Sequence, residues 1–257
     1  MTLALVPRAA GPGATHEALA ALAREAGVPH LVLDDPPAAA SRWREPLQAS
    51  GVRVVALRLS VEGAPSDTAL ALAGALRVER VVVGGGRLEP LPGMGAAPSA
   101  AEREAQRLRT RERQVESLAR RLHGSVSAGA PLAVRHGATE ADLLRLDEVG
   151  WLLDALPRLM LWLDPARLLA ASREGWSPGP LAWADRLAGR VAGLSVHGLG
   201  SDGRGHAHPE DDGPPWGTLA SCLPRRVPWA LDLSGRLDAR DVGDARRFLE
   251  AVFAEPG

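Results

Sequence analysis

The sequence has few of the residues that mark several common classes of protein. Cys222 is its only cysteine, so an intrachain disulfide and a zinc site made of thiolates are both excluded. Lysine, asparagine, isoleucine and tyrosine are absent, and all 30 basic residues are arginine. This bias follows GC-rich codon usage and indicates no function. A single cysteine fits a reducing compartment, and we expect a cytoplasmic protein.

Long apolar runs and an excess of charge of one sign are also missing. The apolar run at the N-terminus covers only Leu3 to Val6 without a cationic segment before it, and no later run approaches the ~18 residues of a membrane-spanning helix. The net charge is -1, which offers no general attraction for nucleic acid or an anionic membrane. We therefore expect a soluble protein that binds neither.

What is present is one pattern that recurs along the chain: an Ala/Leu/Arg-rich amphipathic stretch, a Gly or Pro stop, and a short apolar run that ends in a polar residue. The apolar runs, which we predict to be strands, are 3–6, 30–35, 53–59, 80–86, 131–137, 159–165, 191–198 and 228–235. The predicted helices are 14–26, 38–49, 66–76, 99–122, 140–156, 180–187, a short one near 218, and 239–253.

Strict alternation of strands and helices predicts parallel strands with crossover helices, which places the chain in the α/β class. The strands are apolar throughout, as in a sheet covered on both faces, and eight such units close naturally into one (β/α)8 TIM barrel. We predict a single domain over residues 1–257. An open doubly wound sheet is the alternative, but no G-x-G-x-x-G follows the first strand.

In such a barrel the functional side chains gather where the strands end. Side chains alternate between the two faces of a strand, so each strand-end residue shares a face with the residue two positions before it. For four strand ends that earlier residue is small or a tryptophan. Asp232 shares a face with Ala230, and Asp164 shares one with Trp162, for which the small residues would leave room. The set with this predicted inward orientation is Arg135, Asp164, His197 and Asp232.

These four side chains are our candidates for catalytic residues. Two carboxylates and an imidazole suit a divalent ion such as Mn or Zn. Each also has a simpler interpretation: Asp164 precedes Pro165 and could cap a helix, His197 could be a hydrogen-bonded strand-end histidine, and Asp232 could pair with Arg135 or Arg236.

Residues 195–213, SVHGLGSDGRGHAHPEDDG, follow the seventh strand and hold three histidines and four carboxylates. We regard the last three acids of this loop as solvated. Our candidates for contacts with a substrate, from this loop and elsewhere, are His136, Trp176, His206, His208, Trp216 and Arg236.

The chain resembles the xylose isomerase-like TIM barrels, a superfamily that includes sugar phosphate isomerases and epimerases and endonuclease IV-type enzymes. The architecture is similar over essentially the whole chain, and the motifs lie between residues 132 and 235. That family ends its sixth strand with Asp, its seventh with His and its eighth with Glu; LMLWLDP supplies Asp164, GLSVHG supplies His197, and WALDLSG offers Asp232. The loop GRGHAHPEDDGPPWGTL is similar to the family's stretch with a D-x-H pair, in which His208 would match the histidine.

The resemblance implies a divalent metal (Mn, Zn, Co or Mg) held by Asp164, His197, His208 and Asp232. Two departures oppose it: the family's glutamate after strand five is Arg135 here, and Arg167 stands where a histidine often follows Asp164. Either His136 replaces Arg135 through a shift in register, or the metal is lost and Arg135 binds Asp164, Asp232 or an anionic ligand. We favour the second, with a degenerate metal site.

Two functions follow from the resemblance. The first is an isomerase or epimerase that acts on a small polyhydroxylated carbonyl compound, for which Arg135 and His197 would stabilise an oxyanion while Asp164 or Asp232 serves as the base. The second is a non-catalytic barrel that binds a sugar-like ligand or a partner protein in the inherited cleft. Cleavage of damaged DNA is disfavoured by the net charge and the missing histidines. The substrate and the oligomeric state do not follow from the sequence.

Overall fold

The chain folds into a closed barrel of eight parallel strands in the order β1 to β8. The computed structural model describes residues 1–6, 15–89, 99–201, 203, 205–235 and 237–254. The strands are β1 (Thr2–Leu5), β2 (His30–Asp34), β3 (Arg53–Glu62), β4 (Arg80–Gly84), β5 (Leu132–Arg135), β6 (Met160–Leu163), β7 (Val191–Val196) and β8 (Pro228–Leu231). Each overlaps one of the eight predicted apolar runs, and β3 extends beyond its predicted end at residue 59 to Glu62.

The barrel closes between its first and last strands, where Thr2 pairs with Pro228 and Leu5 with Leu231. All eight strand pairs are parallel, so the carboxyl ends of the strands meet at one mouth. The predicted (β/α)8 TIM barrel is confirmed, and the open doubly wound sheet is excluded.

Helices cover the outside of the barrel, as the alternating pattern predicts. Those that the described residues form are α1 (His16–Glu25), α2 (Arg44–Ala49), α3 (Asp67–Leu76), α4 (Ala100–Ser127), α5 (Leu146–Ala155), α6 (Pro165–Arg173), α7 (Pro180–Leu187), α8 (Trp216–Cys222) and α9 (Ala239–Ala254). A 3-10 turn over Ala38–Trp43 leads into α2. None of these helices is long and apolar enough to cross a membrane.

The structure corrects two helix predictions. Helix α6 was not predicted; it starts directly after β6, with Pro165 in its first turn and the Asp164 carboxylate accepting a hydrogen bond from the Arg167 N–H (3.1 Å). Helix α5 begins at Leu146 and not near residue 140, because the Asp142 carboxylate accepts hydrogen bonds from the N–H groups of Ala138 and Thr139 and holds residues 138–142 in a turn.

The core has two layers. The outer layer packs the strands against the helices and contains most of the buried leucines. The inner layer fills the barrel, where the fully buried Trp162 is surrounded mainly by small residues and valines: Ala4, Val6, Val32, Val55, Ala56, Val82, Ala133, Ala192 and Ala230. The predicted place of Trp162 inside the barrel is therefore confirmed. These residues close the barrel below the mouth. The next inward-pointing residues, two positions further along the strands, therefore form the floor of the mouth.

Candidate functional site

The floor of the mouth is set by the alternation of side chains along the strands. Val32, Ala56, Ala133, Trp162 and Ala230 belong to the inner layer, and the residue two positions after each points to the same side. These floor residues are Asp34, Arg58, Arg135, Asp164 and Asp232. All five line a cavity of about 450 Å³ at the mouth.

Arg58, near the middle of β3, is the centre of the largest ionic network in this cavity. Its guanidinium donates two hydrogen bonds to the Asp34 carboxylate (Nε to Oδ1 2.6 Å, Nη2 to Oδ2 2.7 Å) and one from Nη1 to Asp232 Oδ2 (2.5 Å). Nη1 also lies 3.2 Å from Ser195 Oγ, which accepts a further bond from the indole N–H of Trp162 (3.1 Å). One arginine thus joins the ends of β2, β7 and β8.

This network fixes the charge of its members. Burial alone would lower the pKa of Arg58, but the bonds to Asp34 and Asp232 raise it above its ordinary value. Burial likewise acts to raise the pKa of Asp232, yet His206 and Arg58 together hold it well below its usual range. The side chain of Asp232 is only 3% exposed, so an ionised carboxylate there depends on these partners.

Asp164 and His197 form a second pair. His197 Nε2 lies 3.1 Å from Asp164 Oδ1, and His197 Nδ1 lies 2.9 Å from the His206 backbone nitrogen and 3.1 Å from the Gly198 carbonyl oxygen, to which it donates when the ring is protonated. Burial opposes ionisation of both groups, but their mutual attraction wins: it lowers the pKa of Asp164 and raises that of His197. Asp164 also caps α6, so the simpler interpretation of this residue as a helix cap is correct alongside its place at the mouth.

His136, predicted to contact substrate, has both ring nitrogens occupied by the backbone. Its Nδ1 donates to the Gly137 carbonyl (2.9 Å), and its Nε2 accepts from the Asp164 N–H (2.9 Å). Burial lowers its pKa, which agrees with a neutral ring. His136 therefore orients Asp164 and does not replace Arg135, which disagrees with the less favoured alternative of a shift in register at strand five.

Arg135 stands apart from the acids with which it was expected to pair. The contact that its guanidinium makes among the described residues is a long hydrogen bond to the Leu59 carbonyl (3.4 Å), while Asp232 is bound by Arg58 and Asp164 by His197. Burial lowers the pKa of Arg135, and the nearby charges of Arg58 and Arg167 lower it further. This guanidinium is therefore half-buried beside like charges, which an anion would relieve.

Two adjoining cavities meet at Arg135. The larger, already described, lies over β2, β3, β7 and β8 and includes Asp35 and His206; the smaller, of about 220 Å³, lies over the glycines that end β4 and over the turn after β5. They share Ser60, Arg135, Asp164 and Arg167. A ligand that extends through both would touch the two arginines near its middle.

Other predicted contact residues lie elsewhere. Trp216 begins α8 and is buried in the outer core, where its indole N–H donates to the Pro209 carbonyl (2.8 Å); it lines neither mouth cavity. Trp176 is 40% exposed and lines neither mouth cavity. His208 packs against Phe248 and lines a separate cavity near the start of α9. Arg236 lies outside the described residues.

The predicted metal ligands do not assemble into a metal site. His208 is separated from the others, Asp164 is bound to His197, and Asp232 is bound to Arg58. Within the described part of the chain, no three His, Cys, Asp or Glu side chains are grouped so that they could hold a metal ion. A divalent cation about 4 Å from the Arg58 guanidinium would be repelled by roughly 8 kcal/mol at an effective dielectric constant of about 20. The residues present do not fit the metal that the resemblance implies.

Asp34 and Arg58 are site residues that the sequence analysis did not select. Asp34 ends β2, Arg58 lies within β3, and both share a face with an inward residue two positions earlier, Val32 and Ala56 respectively. The alternation that selected Asp232 would have selected them. The sequence gives no signal, however, that Arg58 and not Arg135 reaches Asp232.

No protein-family model and no curated protein sequence matches the chain. Solved structures do match over nearly the whole length. A putative xylose isomerase from Rhodospirillum rubrum is 15% identical, with 100% of both chains covered and a TM-score of 0.70. The IolI protein with a bound zinc atom is 12% identical (99% and 98% covered, TM-score 0.68), and a D-tagatose 3-epimerase-like protein is 12% identical (98% and 97%, TM-score 0.66). The chain therefore has the fold of the xylose isomerase-like TIM barrels.

Proposed function

We propose that this protein binds a small polyhydroxylated carbonyl compound with an anionic group, such as a sugar acid or a sugar phosphate, at the mouth of the barrel and without a metal ion. The observation that carries the proposal is the state of Arg135: a half-buried guanidinium at the junction of two cavities, without a carboxylate partner among the described residues. Arg167 lines the same junction and has no ion pair in this part of the chain. Two guanidiniums that meet an anion form charge-assisted hydrogen bonds.

The larger cavity suits the hydroxyl groups of such a ligand. Asp34, Asp35 and Asp164 present carboxylate oxygens that accept from hydroxyls, and Ser60 adds a hydroxyl of its own. Few, fixed polar groups of this kind set orientation in small-molecule sites. The similarity to sugar isomerase-like and epimerase-like structures supports a sugar-like ligand and does not indicate which one.

Binding without catalysis is the better-supported form of this function. A general base works best with a pKa near the working pH, whereas the pKa values of Asp164 and Asp232 are both held well below their usual range. His197, the other candidate, is 1% exposed and has both ring nitrogens hydrogen-bonded. The catalytic alternative rests on Asp164, which lines both cavities and would be the proton acceptor, with Arg135 beside the developing oxyanion.

Calorimetric titration of the protein with gluconate, glucose 6-phosphate and glucose tests the proposal. We expect an anionic compound to bind at least about tenfold tighter than glucose, and Arg135→Gln to weaken that binding by roughly 10- to 100-fold, the effect of one charge-assisted hydrogen bond. Arg167→Gln should weaken it less, because Arg167 is exposed. The matched control is Arg53→Gln, whose exposed side chain pairs with Glu79 at the opposite end of the barrel.

Equal binding of all three probes, or anion binding that survives Arg135→Gln in a folded variant, would contradict the proposal. Catalysis is read separately: incubation of the bound compound in D2O, followed by proton NMR, detects exchange of the hydrogen next to the carbonyl. Exchange that Asp164→Asn abolishes would establish the isomerase or epimerase alternative.

A further inference from the structure

We propose that the guanidinium of Arg58 is the resident cation of the mouth: it holds together the acidic strand ends that would otherwise need a metal ion, so that the fold of this site does not depend on metal. The inference rests on the proposed function only for the location of the site. Its test needs no sugar-like ligand.

The hydrogen bonds of Arg58 support this role. A guanidinium has five N–H donors in a fixed plane, and four of the five meet protein acceptors: two meet Asp34, one meets Asp232 and one meets Ser195. The bond to Asp34 is bidentate, which fixes the plane of the group. These acceptors come from β2, β8 and β7, so Arg58 joins the neighbouring strand β2 to two strands across the mouth of the barrel.

The positive charge of Arg58 compensates the negative charges of two carboxylates. The side chain of Asp34 is 32% exposed and that of Asp232 only 3% exposed, and both carboxylates touch the same guanidinium. Without the positive charge, two carboxylates would face each other at the floor of the mouth with Asp164 nearby. Carboxylate oxygens are ligands that Mn²⁺ accepts, so a divalent ion is the natural substitute for the missing guanidinium.

Arg135 does not hold these carboxylates together, although it lies where the resemblance implies a metal-binding glutamate. Its guanidinium contacts the Leu59 carbonyl and neither Asp34 nor Asp232. Removal of its charge leaves the Arg58 network intact. Arg135→Gln is therefore the matched control for Arg58→Gln: the same change of side chain, in the same cavity, outside the network.

The experiment measures thermal unfolding and calorimetric binding with MnCl2 for the wild type, Arg58→Gln, Arg135→Gln and the double variant Arg58→Gln/Asp232→Asn. We expect the midpoints of the wild type and of Arg135→Gln not to move with Mn²⁺. Arg58→Gln should unfold at a lower temperature and regain stability with Mn²⁺, which it should bind at least about 100-fold tighter than the wild type, since one repelling unit charge is gone. The double variant should lose this response.

Two results would overturn the inference. One is an Arg58→Gln variant that is folded by circular dichroism and binds Mn²⁺ no tighter than Arg135→Gln does. The other is stoichiometric binding of Mn²⁺ by the wild type that Asp232→Asn abolishes. If Arg58→Gln does not fold even with Mn²⁺, this wild-type titration decides: saturable binding that depends on Asp232 rejects the inference, and its absence supports it. A failed sugar-acid titration would reject the proposed function and leave this result standing.

Discussion

At the scale of single residues, the pair of Asp164 and His197 makes stability depend on pH. The pKa of Asp164 is lowered from 3.8, so its contribution is present above that value and is lost as the pH falls through the folded pKa. The pKa of His197 is raised from 6.5, so its contribution is fully present below 6.5 and is lost as the pH rises through the folded pKa. The pair therefore stabilises most between about pH 4 and 6.5.

Asp164→Asn tests this dependence, because asparagine keeps the cap of α6 and removes the charge. We expect a loss of about 1–3 kcal/mol in the free energy of unfolding near pH 5.5, the value of a buried bond to a charged group, and a smaller loss above pH 8. Urea unfolding from pH 5 to 9 measures it. The matched control is Asp212→Asn, which breaks an exposed pair with Arg173; a difference between wild type and Asp164→Asn that is constant with pH would refute the coupling.

At the level of residues, the sequence predicts which side chains point into the barrel, because this follows from their alternation along a strand. It does not predict which partner a long side chain contacts across the mouth. Asp164 and Asp232 line the mouth because their strands alternate with period two, whereas His197 is 1% exposed and lines neither mouth cavity. Arg58 and Arg135 each lie two residues after an inward alanine, yet only Arg58 contacts Asp232. The contact depends on the distance across the mouth and on the direction of a long side chain, neither of which is encoded in spacing along the chain.

At the scale of elements, the strands were predictable and the helix boundaries less so. Strands buried on both faces give continuous apolar runs, which stand out in the sequence. Helix α6 was missed because it follows β6 without a Gly or Pro stop between them, although Asp164 followed by Pro165 is itself a start signal for a helix. Helix α5 was placed too early, because a local turn around Asp142 competes with the helix.

One buried arginine joins two of the outer helices. Arg111 on α4 is 2% exposed and makes a bidentate pair with Glu148 on α5 (2.7 and 2.9 Å) and a bond to the Asp142 carbonyl (2.8 Å). Glu148 also accepts from the Arg145 N–H at the start of α5 (2.9 Å). The same carboxylate therefore starts one helix and anchors the other.

Arg111→Met should cost about 3–5 kcal/mol in the free energy of unfolding, because it leaves a partly buried carboxylate and a carbonyl without their donor. Adding Glu148→Gln, which removes the charge and keeps the bond to Arg145, should recover part of this loss. Arg120→Met, on the same helix and paired with Glu116 on the surface, is the control and should cost less than about 1 kcal/mol. Equal losses for the buried and the surface arginine in urea titrations would show that Arg111 does not join the helices.

At the scale of the whole molecule, Trp162 fills the interior of the barrel below the mouth, and the mouth above it stays open as a cavity. Its ring fills the space that small inner residues leave, and a Cβ added at Gly193 would come within 2.2 Å of it. Its indole N–H binds Ser195 Oγ, which in turn contacts Arg58 (3.1 and 3.2 Å). The residue that fills the core thus also supports the floor of the mouth.

Trp162→Ala should therefore affect both stability and the mouth. We expect a loss of about 3–5 kcal/mol in the free energy of unfolding, because the rigid barrel can collapse little into the space that the ring leaves. The control is Trp151→Ala on α5, where the side chain is 47% exposed and the cost should be smaller. The second readout is anion binding: loss of the donor to Ser195 loosens the Arg58 network, so gluconate or glucose 6-phosphate should bind more weakly to Trp162→Ala than to Trp151→Ala. If both variants bind the anion like the wild type while only Trp162→Ala is destabilised, then Trp162 packs the core without supporting the mouth, and the two layers of the barrel act independently.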